Sequence, residues 1–345
     1  MADKPDFWKK LPVLVTGGAS FIGSHLVDAL VERGAAVHVI DDLSTGKIAN
    51  IERHLGTGAA HLTQADVREA RVMDDVTRGK CVLFHLAARH GGRYVVDHKQ
   101  VRSSENLAID SSVFQAALAH RIPKIVFASS ACVYPVGLQN GDRSRLPLVE
   151  TQVGPPFDPD NLYGHAKLLG ELTLARLFDE YEVSSVSLRF FTVYGPRALE
   201  DHSVMAMIAR AFLRKSPFEV WGDGTQVRSW TYVGDIVRGI LMAAELPSGC
   251  LSINLGAVEP WSVERLAREV LFVSGHEAPL KFLTEMPTGP RHRIPDIHRA
   301  GVELGWKPEV PLREGLLQTV RWYNTVKRPD SLERELGRLL IGGVR

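Results

Sequence analysis

A chain of 345 residues with 45% hydrophobic and 23% charged residues has the composition of a soluble globular protein and can bury a large core. Its net charge of +1 offers no general attraction for nucleic acid or anionic lipid, and no apolar run reaches the ~18 residues of a membrane span. Cys81, Cys132 and Cys250 are far apart and show no paired-ligand spacing, which argues against a disulfide framework and for a cytoplasmic protein.

In chain order, Leu11 to Val15 reads as a short apolar strand, followed by glycines and a helical pattern from Phe21 to Arg33. "AVHVIDD" is a second strand, and a further short one precedes "QADVRE". More strands are expected at 81–87, 124–130, 183–191 and 251–256, with helices around 105–120, 163–181 and 232–245. Strands alternating with helices predict an α/β fold, a doubly wound parallel sheet covered on both faces. After Phe191 the pattern breaks into short pieces around Gly and Pro, which suggests a smaller C-terminal lobe over 191–345. Segments near 227–258 are expected to return to the first domain, residues 1–190. Leu332, Leu336, Leu339 and Leu340 form a helical stripe expected to pack.

"LVTGGASFIGSH" lies between the first strand and the first helix, where backbone amides with no side chain in the way attract a pyrophosphate. Gly17 and Gly23 fit the outer positions of a glycine fingerprint, with Ser20 in the middle. Asp41 and Asp42 end the second strand, about 20 residues on, where a carboxylate meets the adenosine ribose and repels a 2'-phosphate. NAD is therefore expected over NADP, and Asp66 is a candidate for the adenine edge. In "NLYGHAKLLGEL", Tyr163 and Lys167 share a helical face, and a cation beside a phenol lowers a pKa that starts near 10.

These motifs, with "HLAA", "SSACVY", "RFFTVYGPR", "GDGTQVRSWTYVGDI" and "PDIHRAGVELGWKP", resemble in order the extended short-chain dehydrogenase/reductases, specifically the nucleotide-sugar epimerases and dehydratases. The resemblance implies a Rossmann domain, bound NAD and a nucleotide-diphosphate sugar as substrate. It assigns Tyr163 as the base for a sugar hydroxyl, Lys167 to the nicotinamide ribose, and Ser130 to the same sugar oxygen. The cofactor would touch Gly17, Ser20, Phe21, Ile22, Gly23, Asp41, Asp42, Asp66, Val67, Leu86, Ala87, Ala88, Asn106 and Phe190 besides Tyr163 and Lys167. Arg228 matches the arginine that grips the diphosphate. Arg291 and Arg293 resemble it in role, and Thr192 and Arg197 complete the expected substrate contacts. A homodimer through the helices near 105–120 and 163–181 is also implied.

Within that family, C4 epimerisation of a UDP-hexose or UDP-hexuronate is the expected reaction. Dehydratases carry an Asp-Glu pair directly after the strand-end Ser or Thr, and here those positions are Ala131 and Cys132. GDP-mannose 3,5-epimerases share "SSAC" and use that cysteine with a lysine after the YGP motif. "YGPRALEDHS" has no such lysine, only Arg197, Asp201 and His202. UDP-glucuronate decarboxylation is a further alternative, with Arg197 as a candidate for the C6 carboxylate. An NAD-binding sensor is the reading without catalysis; sensors on this fold lack the tyrosine that this chain keeps. The histidines include no HExxH or paired spacing, so no metal is expected. Trp221, Trp230 and Trp261 are candidates for stacking on a uracil or sugar, weighed against core packing.

Overall fold

The structure, a computed structural model, describes residues 7–140 and 147–341. Seven strands form one sheet: β1 (Pro12–Thr16), β2 (Ala36–Asp41), β3 (Ala60–Gln64), β4 (Val82–His85), β5 (Lys124–Ser130), β6 (Ser184–Phe190) and β7 (Cys250–Leu255). Their spatial order is β7-β6-β5-β4-β1-β2-β3, and every pairing is parallel. The order reverses between β1 and β4, so the loops leaving those strands diverge and open a crevice.

Both faces are covered because the strands send apolar side chains to each in turn. Val13 and Val15 join Leu26, Ile236, Ile240 and Trp306 on one side, while Leu14, Ile125 and Phe127 meet Ile109, Phe114 and Leu174 on the other. The first helix (Phe21–Glu32) and Val233–Ala244 supply one layer, and Gln100–Ala119 and Asn161–Tyr181 supply the other. Among the described residues no helix is long and apolar enough to cross a membrane.

The C-terminal lobe has its own core, in which Met205, Ile208, Phe218, Leu266, Leu316 and Tyr323 are buried. The helix Pro329–Leu340 packs there through Leu332 and Leu336, with Leu339 and Leu340 partly covered, as the stripe suggested. The chain returns to the sheet at Val233–Ala244 and β7, and a second time at 300–306. Ala300, Leu304 and Trp306 pack on the sheet side, and the Trp306 indole donates to the Asp235 carbonyl at 2.9 Å. The Asp235 carboxylate accepts from the amides of Glu309 (3.0 Å) and Val310 (2.9 Å), which pins this return. Trp306→Ala would remove about 3–5 kcal/mol of packing there.

Candidate active site

At the end of β1 the backbone turns at Gly17 with φ +71°, where a Cβ would lie 2.9 Å from the Ala87 nitrogen. At Gly23 a Cβ would lie 2.1 Å from the Gly17 carbonyl oxygen, so the first helix can rest on this loop only without a side chain. Ser20 tolerates the middle position because its Oγ is directed to Asp41 Oδ2 and Thr45 Oγ1, both at 3.4 Å. Gly17, Ser20, Phe21, Ile22 and Gly23 line the main cleft at the N-terminus of the first helix.

The two aspartates divide their work. Asp41 is only 4% exposed; its Oδ2 accepts from the Ala19 amide (2.9 Å) and its Oδ1 from the Leu43 amide (2.8 Å). Burial pushes its carboxyl up against those two bonds, so Asp41 braces the glycine loop as much as it faces a ligand. Asp42 is more open and pairs with Arg89 at 3.2 Å. Both line a side recess with Asp66, Val67, Leu86, Ala87 and Ala88. Asp66 is already held by Arg68, whose Nε reaches both carboxylate oxygens at 3.0 and 3.1 Å. Asn106 is fully buried with its amide bonded to both backbone groups of Arg89 (2.7 and 2.9 Å), so it positions the loop after β4 and lines neither recess nor cleft. Arg89 itself was missed; an arginine beside an aspartate four residues past a strand carries no motif.

At the end of β5, Ser130 Oγ accepts from the Cys132 amide at 3.1 Å and caps a single turn over Ala131–Val133. The helix Asn161–Tyr181 docks on that turn through Gly164, where a Cβ would lie 2.3 Å from the Cys132 carbonyl oxygen. That contact brings Tyr163 and Lys167 to Ser130, and all three line the cleft. Lys167 is 1% exposed, and its Nζ has no hydrogen-bond partner among the described residues. It lies 4.6 Å from the centre of the Phe127 ring. Burial pushes its pKa down, opposed by the charges of Asp110 and Glu171. A lone buried ammonium is costly, and ribose hydroxyls are acceptors that would satisfy it. In the protein alone Tyr163 departs from expectation: burial raises its pKa, Cys132 and Asp110 add to this, and only the Ser130 hydrogen bond opposes. Lys167 is not among the groups depressing it. Ser129 lies beneath, donating to buried Glu171 at 2.5 Å, and Glu171 is paired with Arg189 at 2.7 Å.

The same cavity, about 350 Å³, continues past Phe190 and Thr192 to a second wall. There Asp160 accepts from Arg93 and Arg293, both at 2.7 Å, and Arg293 also donates to Cys132 Sγ at 3.3 Å. Burial works to raise Asp160, but Arg293 and Arg93 outweigh it and hold the carboxyl at about 2. Arg228 donates only to the carbonyls of Val227 (2.9 Å), Thr288 (3.0 Å) and Arg291 (3.4 Å). Burial, then Arg293 and Arg93, work against its charge. A guanidinium does not give up its proton, so this corner is short of negative charge and suits a diphosphate.

Two sequence candidates lie elsewhere. Arg197 pairs with Asp28 on the first helix at 2.9 Å and does not line the cleft. The Arg291 side chain is exposed outside it. In their place the fold brings Arg93 and His90 into the cleft, with Asp160 behind Arg93, beside Asp201 and His202 from the YGP segment. A signal for the first of these was present in "HGGR": a Cβ at Gly92 would lie 1.7 Å from the Asp201 carbonyl oxygen, and the Gly92 amide donates to Asp201 Oδ2 at 2.9 Å. Trp221, half-buried, and Trp230, buried, both line the cleft, whereas Trp261 is buried away from it.

Fold and site together define a dinucleotide-dependent enzyme. The NAD dependent epimerase/dehydratase family matches residues 13–256; the chain belongs to that family, and NAD is its cofactor. It is 32% identical over 326 residues to a putative UDP-glucose 4-epimerase of Methanocaldococcus jannaschii, covering 92% of this chain and 99% of that one. It is 30% identical to UDP-glucuronic acid decarboxylase 1 of Xenopus tropicalis, over 90% of this chain and 72% of the relative. The UDP-glucose 4-epimerase of Thermotoga maritima, solved with UDP-glucose, superposes with a TM-score of 0.81 at 30% identity, covering 91% and 99% of the two chains.

Proposed function

We propose that the protein epimerises C4 of a nucleoside-diphosphate hexose or hexuronate through a transient 4-keto sugar. The observation that carries the reading is one cavity holding Ser130, Tyr163 and the unpaired Lys167 at one end and, at the other, Arg228, whose bonds go to backbone carbonyls. NAD supplies the acceptor that takes hydrogen from C4 and returns it. Tyr163 removes the hydroxyl proton as C4 is oxidised and gives it back afterwards, while Ser130 holds the same oxygen. Lys167 binds the nicotinamide ribose and adds a positive charge near a developing tyrosinate. Arg228 and Arg293 hold the diphosphate while the sugar turns. The relatives' names put UDP sugars first among substrates to test.

Dehydration lacks support, since Ala131 and Cys132 follow Ser130 and neither is a carboxylic acid. Arg197, the sequence candidate for a uronate carboxylate, is engaged with Asp28 and lends nothing to decarboxylation. A second reading has its own observation: Cys132 lines the cleft together with His90 and His202, whose rings are 5.8 Å apart. Burial and then His202 push His90 down to about 4, so it is neutral but weakly basic at pH 7, which leaves Cys132 as the group to exchange the proton. That set supports proton exchange at a carbon beside the ketone. A homodimer is consistent with exposed Val101 and Leu107 on one helix and Leu162, Leu169 and Leu172 on its neighbour.

The test is incubation of the NAD-loaded protein with a panel of nucleotide hexoses and hexuronates in deuterated water. Inversion at C4 without solvent deuterium is expected. Deuterium entering C3 or C5 would favour the Cys132 reading, loss of carbon dioxide would favour decarboxylation, and no conversion would favour an NAD sensor.

A further inference from the structure

The far end of the cleft holds polar groups that neither hydride transfer nor the diphosphate uses. Arg210, on the helix Ser203–Phe212, is 5% exposed and lines the cavity, yet its Nη2 has no partner among the described residues. The strand Phe218–Trp221 runs beside it, with Glu219 and Trp221 on the same face, both lining the cleft. Glu219 has only a 4.0 Å approach from Lys281. Gln226, 8% exposed, also lines the cleft; its amide nitrogen donates to Asp223 at 2.9 Å while its Oε1 is buried without a partner. Burial works against the charge of Arg210, and Glu219 is the group that offsets it.

From these groups we infer that the nucleobase of the substrate is guanine, held by the Arg210 fork on its O6/N7 edge and by Glu219 and Gln226 on its N1–H and 2-amino donors. The inference rests on the nucleotide-sugar reading above and changes its base, setting this chain apart from the uridine-nucleotide relatives. Arginine only donates, and two adjacent donors match the adjacent acceptors O6 and N7 of guanine. An ionised carboxylate only accepts, and guanine presents two adjacent donors, N1–H and the 2-amino group. Uracil offers one N–H between two carbonyl oxygens, so Glu219 would face an acceptor whichever way the ring lay. Adenine places its amino group beside N7, against the arginine donors. Trp221 supplies an aromatic face for either ring size.

Titration of the NAD-loaded protein with GDP, UDP and ADP by calorimetry tests this. GDP is expected to bind at least tenfold more tightly than UDP or ADP. Arg210→Met, which keeps length and removes the buried charge, and Glu219→Gln, at a half-exposed site, should each erase most of that preference while leaving UDP affinity within about threefold. Equal weakening of GDP and UDP in Arg210→Met would mean a phosphate contact and overturn the inference. UDP binding as tightly as GDP would overturn it while leaving the nucleotide-sugar reading intact. Binding of none of the three would overturn both.

Discussion

The half of the cleft assigned to NAD is assembled from short contiguous motifs, 17–23, 86–88, 130–132 and 163–167. The half assigned to the sugar nucleotide is lined by Arg93, Asp201, Arg228 and Arg293, single residues far apart in the chain. The first is shaped by backbone contacts that glycine alone permits, at Gly17, Gly23 and Gly164. The second is shaped by side-chain charge, with Asp160 shared between Arg93 and Arg293 and Arg228 left over. Backbone contacts set where the cofactor goes; the unbalanced charge sets what can lie beside it. The two halves should therefore fail differently.

The largest effect is expected from Tyr163→Phe, which should lower kcat by about 10²–10⁴-fold, the usual contribution of a general acid–base group. NAD should remain bound, as read by nucleotide release on denaturation. Near-normal turnover would break the assignment of this half. Arg228→Ala should act on the other half, raising KM roughly ten- to a hundredfold with kcat changed little, because a charge-assisted contact is worth about 1.5–3 kcal/mol. A fall in kcat at constant KM would contradict the anchoring role.

Smaller effects separate structure from chemistry. Gly164→Ala should cost about 1–3 kcal/mol in denaturant unfolding, since the new methyl meets the Cys132 carbonyl at 2.3 Å, and should loosen the Tyr163 helix from the strand end. Arg197→Ala should leave KM within about twofold, because the guanidinium pairs with Asp28 outside the cleft. A large KM effect would return that arginine to the substrate. Stability should also fall as pH drops from 6.5 towards 4. Burial is the main cause that lowers His25, His38, His85 and His90, with His38 and His90 at about 4. The unfolded chain then binds more protons in that window, so unfolding is favoured by acid. Asp160 adds its loss only below its ordinary value of 3.8. A melting temperature flat between pH 6.5 and 4.5 would contradict this.

The same contrast explains what could be read without coordinates. β5 spans 124–130 as expected, and the helices are within a few residues of expectation, because burial on both sheet faces imposes apolar runs and periodicity on the sequence. Gly17, Gly23, Ser130, Tyr163 and Lys167 were legible because spacing along one element fixes who can meet. The bonds of Asp41 to the Ala19 and Leu43 amides were not legible, since a carboxylate turned back onto its own loop looks in sequence like one facing a ribose. Arg197 and Arg293 are both arginines near glycine or proline turns, and only packing decides that one meets Asp28 and the other Asp160. The second return to the sheet at Trp306 depends on the Asp235 staple, a contact across 71 residues that no local pattern encodes.

The central claim is that Tyr163 takes and returns the hydroxyl proton of one sugar carbon whose hydrogen NAD would accept and give back within a single bound state. The most direct measurement uses a nucleotide hexose deuterated at C4, incubated with the NAD-loaded protein in ordinary water, with the C4 epimer isolated and its label read by mass spectrometry. The account predicts an epimer that keeps its deuterium at C4. An epimer that has lost it to solvent would contradict the account.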